Sequence, residues 1–475
     1  VLRRFDRHSG KFIINVSFET AAPKPSDRVV ATAEAFGLGL DKWERFTVFE
    51  DVELKIGQKD VVYITGDSGS GKSVLLRALE EDIRHDLKLT SVNVNDVKPD
   101  LDKPLIETVG KTVEEGLELL ARVGLGDAFL FLRTFNQLSD GQKYRYKIAK
   151  MIESGAQFWI LDEFAATLDR DTAKVVAWNL QKIARSEGKC VLAATTHLDL
   201  LLDLNPDVHI HKRFGKEIHV AYYPNLVPRS CSLVGEMRIS EGSTADWRKL
   251  ACFHYRSHKL PAPRKIFCLK RGEELCGVIV YCYPSPACFG RRQVLPRMQM
   301  RDLNKRLSTI SRVVIHPKYR SLGLGAGLVR ETLGLCGTDS VELIAVMAKY
   351  NPFAERAGMR RIAVQVPARQ VLELAQVLES VGLDRRLFCS VGHVEEWLKA
   401  MKEKDLGFVR AAFAKCKNGP FLKVFFSAVP FDHAAEYGKC VEEADVEKLA
   451  RLIRACGFLL QEKGYLFYEK PARSG

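Results

Sequence analysis

The stretch Gly66-Asp67-Ser68-Gly69-Ser70-Gly71-Lys72-Ser73 constrains this chain more than any other. Ahead of it, residues 60–65 form an apolar run that predicts a short buried strand; behind it, residues 74–79 predict the start of a helix. Strand, glycine-rich loop and helix, in that order, are the context in which G-x-x-x-x-G-K-[ST] cradles phosphate. Gly66, Gly69 and Gly71 let backbone N–H groups, with those of Ser68 and Ser70, turn inward around an anion. The helix start adds about half a positive charge at the same place. Lys72 would reach the β- and γ-phosphates, and the Ser73 hydroxyl would ligate Mg2+. The pattern implies a bound nucleoside triphosphate.

A length of 475 residues is expected to divide into two to four domains. The longest apolar run, residues 276–283, is stopped by Pro284 and Pro286, well short of the roughly 18 residues of a membrane span. With no apolar N-terminal stretch either, a cytoplasmic protein without a membrane partner is expected. The net charge of +13 is unevenly spread. Residues 1–225 hold 31 Lys and Arg against 34 Asp and Glu, residues 226–365 hold 24 against 10, and residues 366–475 hold 17 against 15. An anionic partner is therefore expected for the middle of the chain. Eleven of the twelve cysteines follow residue 230 and none forms a C-x-x-C pair, so buried free thiols are expected rather than a zinc site.

Beyond the glycine loop, Leu138-Ser139-Asp140-Gly141-Gln142 precedes a basic helical pattern over 143–152. An apolar strand at 158–161 ends in Asp162-Glu163, Ala166-Thr167-Leu168-Asp169 follows, and a second buried strand at 191–195 ends at Thr196-His197. This set, in this order, resembles the ABC-type ATPases over residues 43–220. The resemblance implies that Asp162 holds Mg2+, that Glu163 polarises the attacking water, and that His197 contacts the γ-phosphate with Lys72. It further implies that adenine stacks on Trp43, with Phe46 as the alternative, and that Asp169 communicates across a dimer. Ser139, Gly141 and Gln142 match the signature loop, which in this family closes over the nucleotide held by the opposite P-loop. One P-loop and one signature then imply two copies of the chain around two ATP molecules. Asp140 replaces the usual glycine and adds negative charge near a triphosphate. Transporter members carry a glutamine between the P-loop and the signature, whereas none occurs here between Lys72 and Asn136. That absence favours a mechanical ATPase acting on nucleic acid or ribonucleoprotein over a transporter subunit, which stays as the weaker alternative.

A second set of motifs lies beyond a boundary expected at Pro224, Pro228 and Arg229. Arg320-Ser321-Leu322-Gly323-Leu324-Gly325, after a strand over 309–316 and before a helix over 326–335, resembles the acetyl-CoA motif of GNAT-type N-acetyltransferases. Arg320, Gly323, Leu324 and Gly325 would then hold the pyrophosphate of acetyl-CoA. Asn351 opens a segment, 351–359, similar to that family's closing helix and turn. Ala354 stands where many members have an acidic tyrosine, and strand 309–316 carries no carboxylate; Tyr350 and His316 are the substitutes weighed. Two readings stay open, an N-acetyltransferase and a CoA-binding regulatory module. An insertion at 284–307 carries Arg291, Arg292, Arg297, Arg301, Lys305 and Arg306, and makes 254–306 the expected RNA or DNA face.

The expected fold class is α/β multidomain. A segment 1–40 without assigned role precedes an ABC-type P-loop ATPase domain over 41–225. A GNAT-like α+β domain over 226–365 and a small helical α+β appendage over 366–475 complete the chain. Within the appendage, residues 422–426 and 465–468 are predicted strands.

Overall fold

The computed structural model describes residues 2–19, 22–40, 45–223, 230–254, 260–346, 348, 350–426 and 433–471. Trp43 and the expected boundary residues Pro224, Pro228 and Arg229 lie outside them. The chain divides into two compact units: 1–260 with 265–280 and 312–329, and 261–264 with 281–311 and 330–475.

The first unit contains a three-stranded antiparallel sheet of β1 (Leu2–Asp6), β2 (Lys11–Glu19) and β3 (Arg45–Leu54). Beside it is a six-stranded sheet of β4 (Val61–Gly66), β5 (Ser91–Asn93), β6 (Phe158–Leu161), β7 (Cys190–Thr195), β8 (Val208–Lys212) and β9 (Ile218–Tyr222). Its order is β5-β6-β7-β4-β8-β9, and every neighbouring pair is parallel except β8 with β9. Val61, Tyr63, Trp159, Leu161, Val191 and Ala193 bury into one core, which helices Val113–Arg122, Asp140–Glu153 and Arg170–Glu187 complete. Val62, Ile64, Phe158, Ile160, Leu192 and Ala194 bury into the other, with helix Lys72–His85 and the three-stranded sheet. Burial on both faces is why these strands read as unbroken apolar runs. The division expected at residue 40 is corrected here: β2 is hydrogen-bonded along β3, and Phe12, Ile14 and Val16 share a core with the P-loop helix.

A second sheet runs in the order β10-β11-β12-β13-β14-β16-β15, from β10 (Met237–Glu241), β11 (Pro263–Arg271), β12 (Glu274–Cys282), β13 (Leu307–Ile315), β14 (Ser340–Ala345), β15 (Arg360–Gln365) and β16 (Lys463–Glu469). β13 and β14 pair in parallel over three residue pairs only, Leu307–Ser340 to Thr309–Glu342. β16 is antiparallel to both β14 and β15. The division expected at residue 366 is therefore also corrected, because a strand from the expected appendage completes this sheet. Most of the other described residues of that segment are helical and close over their own core of Leu374, Leu398, Phe413, Phe421 and Ile453. The strand expected at 422–426 is instead helix Gly419–Phe425, in which Phe421, Val424 and Phe425, spaced i, i+3 and i+4, pack on the helical core. All twelve thiols are free and most are buried.

The basic insertion is built onto β16 in the second unit. Leu295 and Leu303 pack with Tyr465, and Gly290, at φ 77°, leaves room for the Tyr465 ring, which an added Cβ would approach to 2.8 Å. Arg291 is a correction to the expected nucleic-acid face. It is buried and donates to Glu342 through Nε (3.0 Å) and Nη2 (2.7 Å), while Thr309 and Tyr465 hydroxyls donate to the same carboxylate. Arg292, Arg297, Arg301, Lys305 and Arg306 are exposed. Removing one buried ion leaves the other charged and unsolvated. Glu342→Leu is expected to cost about 3–5 kcal/mol. The Arg291→Met/Glu342→Leu pair should cost less than the single change, as read from denaturant midpoints.

Candidate active site: a phosphate loop at a parallel sheet edge

Parallel pairing aligns the strand ends. Thr65 of β4 is opposite Thr195 of β7, and Leu161 of β6 is opposite Ala193. The P-loop leaves β4, Asp162-Glu163 leaves β6 and His197 follows β7. Adjacent strands lie about 4.8 Å apart, so three loops distant in sequence meet at one edge.

The P-loop backbone is held in conformations that favour glycine, with φ 147° at Gly66, 77° at Gly69 and 103° at Gly71. A Cβ on Gly66 would sit 2.0 Å from the Lys212 carbonyl oxygen, and one on Gly71 would sit 2.6 Å from Val48 Cγ1. Ser68 and Gly69 are exposed, whereas Ser70 Oγ is buried with no hydrogen-bond partner among the described residues. Lys72 Nζ donates to the Gly66 (2.9 Å) and Asp67 (2.6 Å) carbonyl oxygens. Burial pulls its pKa below the usual lysine range, opposed by the Asp162 and Asp67 carboxylates. Lys72 and Ser73 begin helix Lys72–His85. These groups fit an oligophosphate: a cradle of N–H groups, an unsatisfied hydroxyl and an ammonium that can exchange its loop carbonyls for phosphate oxygens.

Glu163 is exposed and left-handed at φ 54°, and Ala165 repeats this at φ 59°. The Asp162 carboxylate accepts the Glu163 N–H (3.0 Å), the Ala194 carbonyl accepts the Phe164 N–H (2.7 Å), and the Tyr144 hydroxyl accepts the Ala165 N–H (3.3 Å). The Thr195 hydroxyl accepts the His197 N–H (3.3 Å), and the Tyr63 hydroxyl donates to the His197 carbonyl. Tyr63 and Tyr144 steady these two loops; a lone tyrosine in a strand or helix carries no sequence signal for that role.

Ser139 caps helix Asp140–Glu153, and the Gln142 side chain accepts the Ser139 N–H (3.1 Å). Gln142, expected at ATP, is thus committed to the cap. Ser139 and Asp140 are exposed, with Asp140 3.6 Å from Lys143, and a Cβ on Gly141 would meet Leu168 Cδ2 at 2.9 Å. Asp169 caps helix Arg170–Glu187, accepting from Thr172 N (3.1 Å) and Thr172 Oγ1 (2.6 Å). Phe46, the alternative to Trp43, is exposed and opposite the exposed Phe18.

Residues 49–166 match the family model described as ABC transporter. The cytochrome c biogenesis ATP-binding export protein of Chelativorans sp. is 32% identical over 180 residues, 33% of this chain and 87% of that relative. This chain belongs to the ABC transporter ATPase family. The phosphonates import ATP-binding protein of Cupriavidus necator is 27% identical over 242 residues, covering 42% of this chain and 82% of the relative. A dimeric ATP-binding cassette in a post-hydrolysis state with ADP and Pi aligns with 38% of this chain and 94% of its own, at 20% identity and a TM-score of 0.33. The chain is an ATP-binding ABC ATPase. No helix among its described residues is long and apolar enough to cross a membrane.

The second motif set differs from expectation at its first residue. Arg320 donates to the Ile315 carbonyl (3.1 Å), the Gly126 carbonyl (3.0 Å), Asp127 Oδ2 (3.0 Å) and the Phe253 carbonyl (3.4 Å). Its guanidinium is thus spent on Gly126 and Asp127 of the ATPase segment and on two further carbonyls rather than turned to a pyrophosphate. Gly323 has φ 76° with open space where a Cβ would go, and Leu324 and Gly325 begin helix Leu324–Leu333. His316 Nδ1 accepts the Lys318 N–H (3.3 Å), and burial lowers its pKa. Asn351 is exposed in the second unit, ahead of helix Phe353–Arg356, in which Ala354 is buried.

Below the P-loop, Thr65 Oγ1 is 2.9 Å from His209 Nε2 and 3.0 Å from His211 Nδ1, and His209 stacks on Tyr63. Burial, then the neighbouring His211, lowers the His209 pKa below 6.5. A depressed folded-state pKa contributes stability above the unfolded value that is lost as pH falls below it. The thermal midpoint is therefore expected to fall between pH 7.5 and pH 5.5, and by less in His209→Gln.

Proposed function

We propose that two copies of this ABC ATPase clamp two ATP molecules, and that its second half binds an acyl-CoA. The observation that carries the first part is the gathering of the P-loop, Asp162-Glu163 and His197 at one sheet edge, with Ser139 and Gly141 at an exposed helix start. Lys72 and the loop N–H groups would hold the β- and γ-phosphates. Ser73 and Asp162 supply the oxygen donors that suit Mg2+, which when bound neutralises phosphate charge. Glu163 would orient and deprotonate the attacking water, and His197 would contact the γ-phosphate. Ser139 and the N-terminus of helix Asp140–Glu153 would face the nucleotide of the partner copy, where Asp140, drawn to Lys143, tempers the attraction.

For the second half, the reading is a GNAT-like acyl-CoA site. It is supported by the glycine turn at Gly323–Gly325, which enters a ten-residue helix after β13, and by the short parallel β13–β14 pairing. Backbone N–H groups at Gly323, Leu324 and Gly325 would hold the pyrophosphate without Arg320. Acetyl transfer to an amine on a nucleic-acid-linked or ribonucleoprotein substrate fits the exposed Arg292, Arg297, Arg301, Lys305 and Arg306. A second reading, CoA binding without transfer, is favoured by one observation: Ala354 is buried where an acid is needed, and His316 is tied to its own turn.

Glu163→Gln is expected to retain ATP, lower phosphate release by about 100-fold or more and accumulate dimer, read by phosphate assay and light scattering. Unchanged turnover would remove Glu163 from this role. Labelled acetyl-CoA should bind the full chain, and Gly323→Val should abolish that binding. Label transferred into RNA or protein selects the enzyme; binding without transfer selects the module.

A further inference from the structure

We propose that Lys318 and Arg271, both far beyond the segment matched by the family model, are positioning residues for ATP hydrolysis. They fix the first turn of helix Arg170–Glu187, and through it the turn from Asp162 to Asp169 that presents Glu163. The inference rests on the role of Glu163 given above.

Three stretches of sequence meet in one charged cluster. Asp171 Oδ2 accepts from Arg271 Nη2 at 2.7 Å and lies 2.6 Å from Lys318 Nζ, which is itself 3.9 Å from Asp169 Oδ1. Glu274 lies 3.4 Å from Arg271 and 3.7 Å from Lys318, and accepts the Tyr319 hydroxyl at 2.6 Å. The Arg271, Asp171 and Lys318 side chains are 20%, 19% and 25% exposed. That shielding separates them from surface pairs, which contribute little. Arg271 pulls the Asp171 carboxyl down to about 2, so Asp171 stays ionised from about pH 4 upward.

The same loop is fastened twice more within the first unit. Arg320 reaches Asp127 and the Gly126 carbonyl, and Ser321, at φ 71°, accepts from Asn179 Nδ2 at 2.6 Å, farther along the same helix. The helix is therefore held at its start by Lys318 and at Asn179 by Ser321. Its start matters because the turn leading into it is strained. Glu163 and Ala165 are both left-handed without being glycine, a conformation kept only where the surroundings over-determine it. The Ala194 carbonyl and the Tyr144 hydroxyl tether the near end of that turn. At the far end stands Asp169, the helix cap, directly beside the cluster.

The test is steady-state phosphate release by the full chain in Lys318→Gln, Arg271→Gln and Lys318→Arg, with Glu163→Gln measured alongside. Each Gln variant is expected to lower kcat about fivefold or more, with KM for ATP within about twofold; Lys318→Arg should recover most of the loss. A cluster that only stiffened the fold would lower the melting midpoint and leave kcat per folded molecule unchanged. That result overturns the inference, as does a change confined to KM. Should Arg271→Gln fail to fold, Lys318→Gln and Lys318→Arg decide. An inactive Glu163→Gln beside a fully active Lys318→Gln removes only this inference, whereas an active Glu163→Gln removes the role of Glu163 and the inference with it.

Discussion

Strands that hydrogen-bond in parallel must all end at the same edge of their sheet, and the chemistry of this ATPase depends on that constraint. β4, β6 and β7 are neighbours, so the phosphate loop, the carboxylates and the histidine arrive together although more than a hundred residues separate the first from the last. No loop has to reach. Each leaves a buried strand whose position is set by packing on both faces. Tyr63 and Thr65 of β4, whose partners across the sheet are His209 and His211 of β8, extend the order one layer down from the His197 loop.

Rigidity at that edge has a cost, visible in the left-handed backbone of Glu163 and Ala165. Such a turn persists because it is tied from several sides: β7 through the Ala194 carbonyl, the signature helix through Tyr144, and the helix that begins at Arg170. That last helix in turn meets residues from β11 and from the loop after β13, so the ATPase core is not closed by the segment that carries its motifs. Arg271 and Lys318 reach Asp171, Ser321 accepts from Asn179, and Arg320 donates to Asp127.

The seven-stranded sheet is completed from equally distant parts of the chain. β16, almost at the end of the sequence, is hydrogen-bonded between β14 and β15, and Tyr465 on it supports both the basic insertion and the buried Arg291–Glu342 pair. The helices between residues 369 and 459 form their own core and add no strand. Within the insertion, Arg291 turns inward to a buried carboxylate, whereas Arg292, Arg297, Arg301, Lys305 and Arg306 face solvent.

Reading residues in order was sufficient for the doubly buried strands at 61–66, 158–161 and 190–195, for the glycine loop, and for the carboxylates and histidine that follow the strand ends. These features are local: an apolar run buried on two sides, a glycine whose Cβ would strike a carbonyl, a polar residue at a strand terminus. It also placed β2 and β16 as strands, but not beside their partners. The pairing of residues 11–19 with 45–54, and of 463–469 with 340–345, depends on surfaces far away along the chain, about which a period-two pattern says nothing. Residues 422–426 looked extended and became helical because packing of Phe421, Val424 and Phe425 on a helical core outweighed β-propensity. Arg320 sat in a motif that predicts a phosphate ligand and found Asp127 instead. A side chain's type limits its possible partners, but which one it meets is settled when folding brings remote segments into contact.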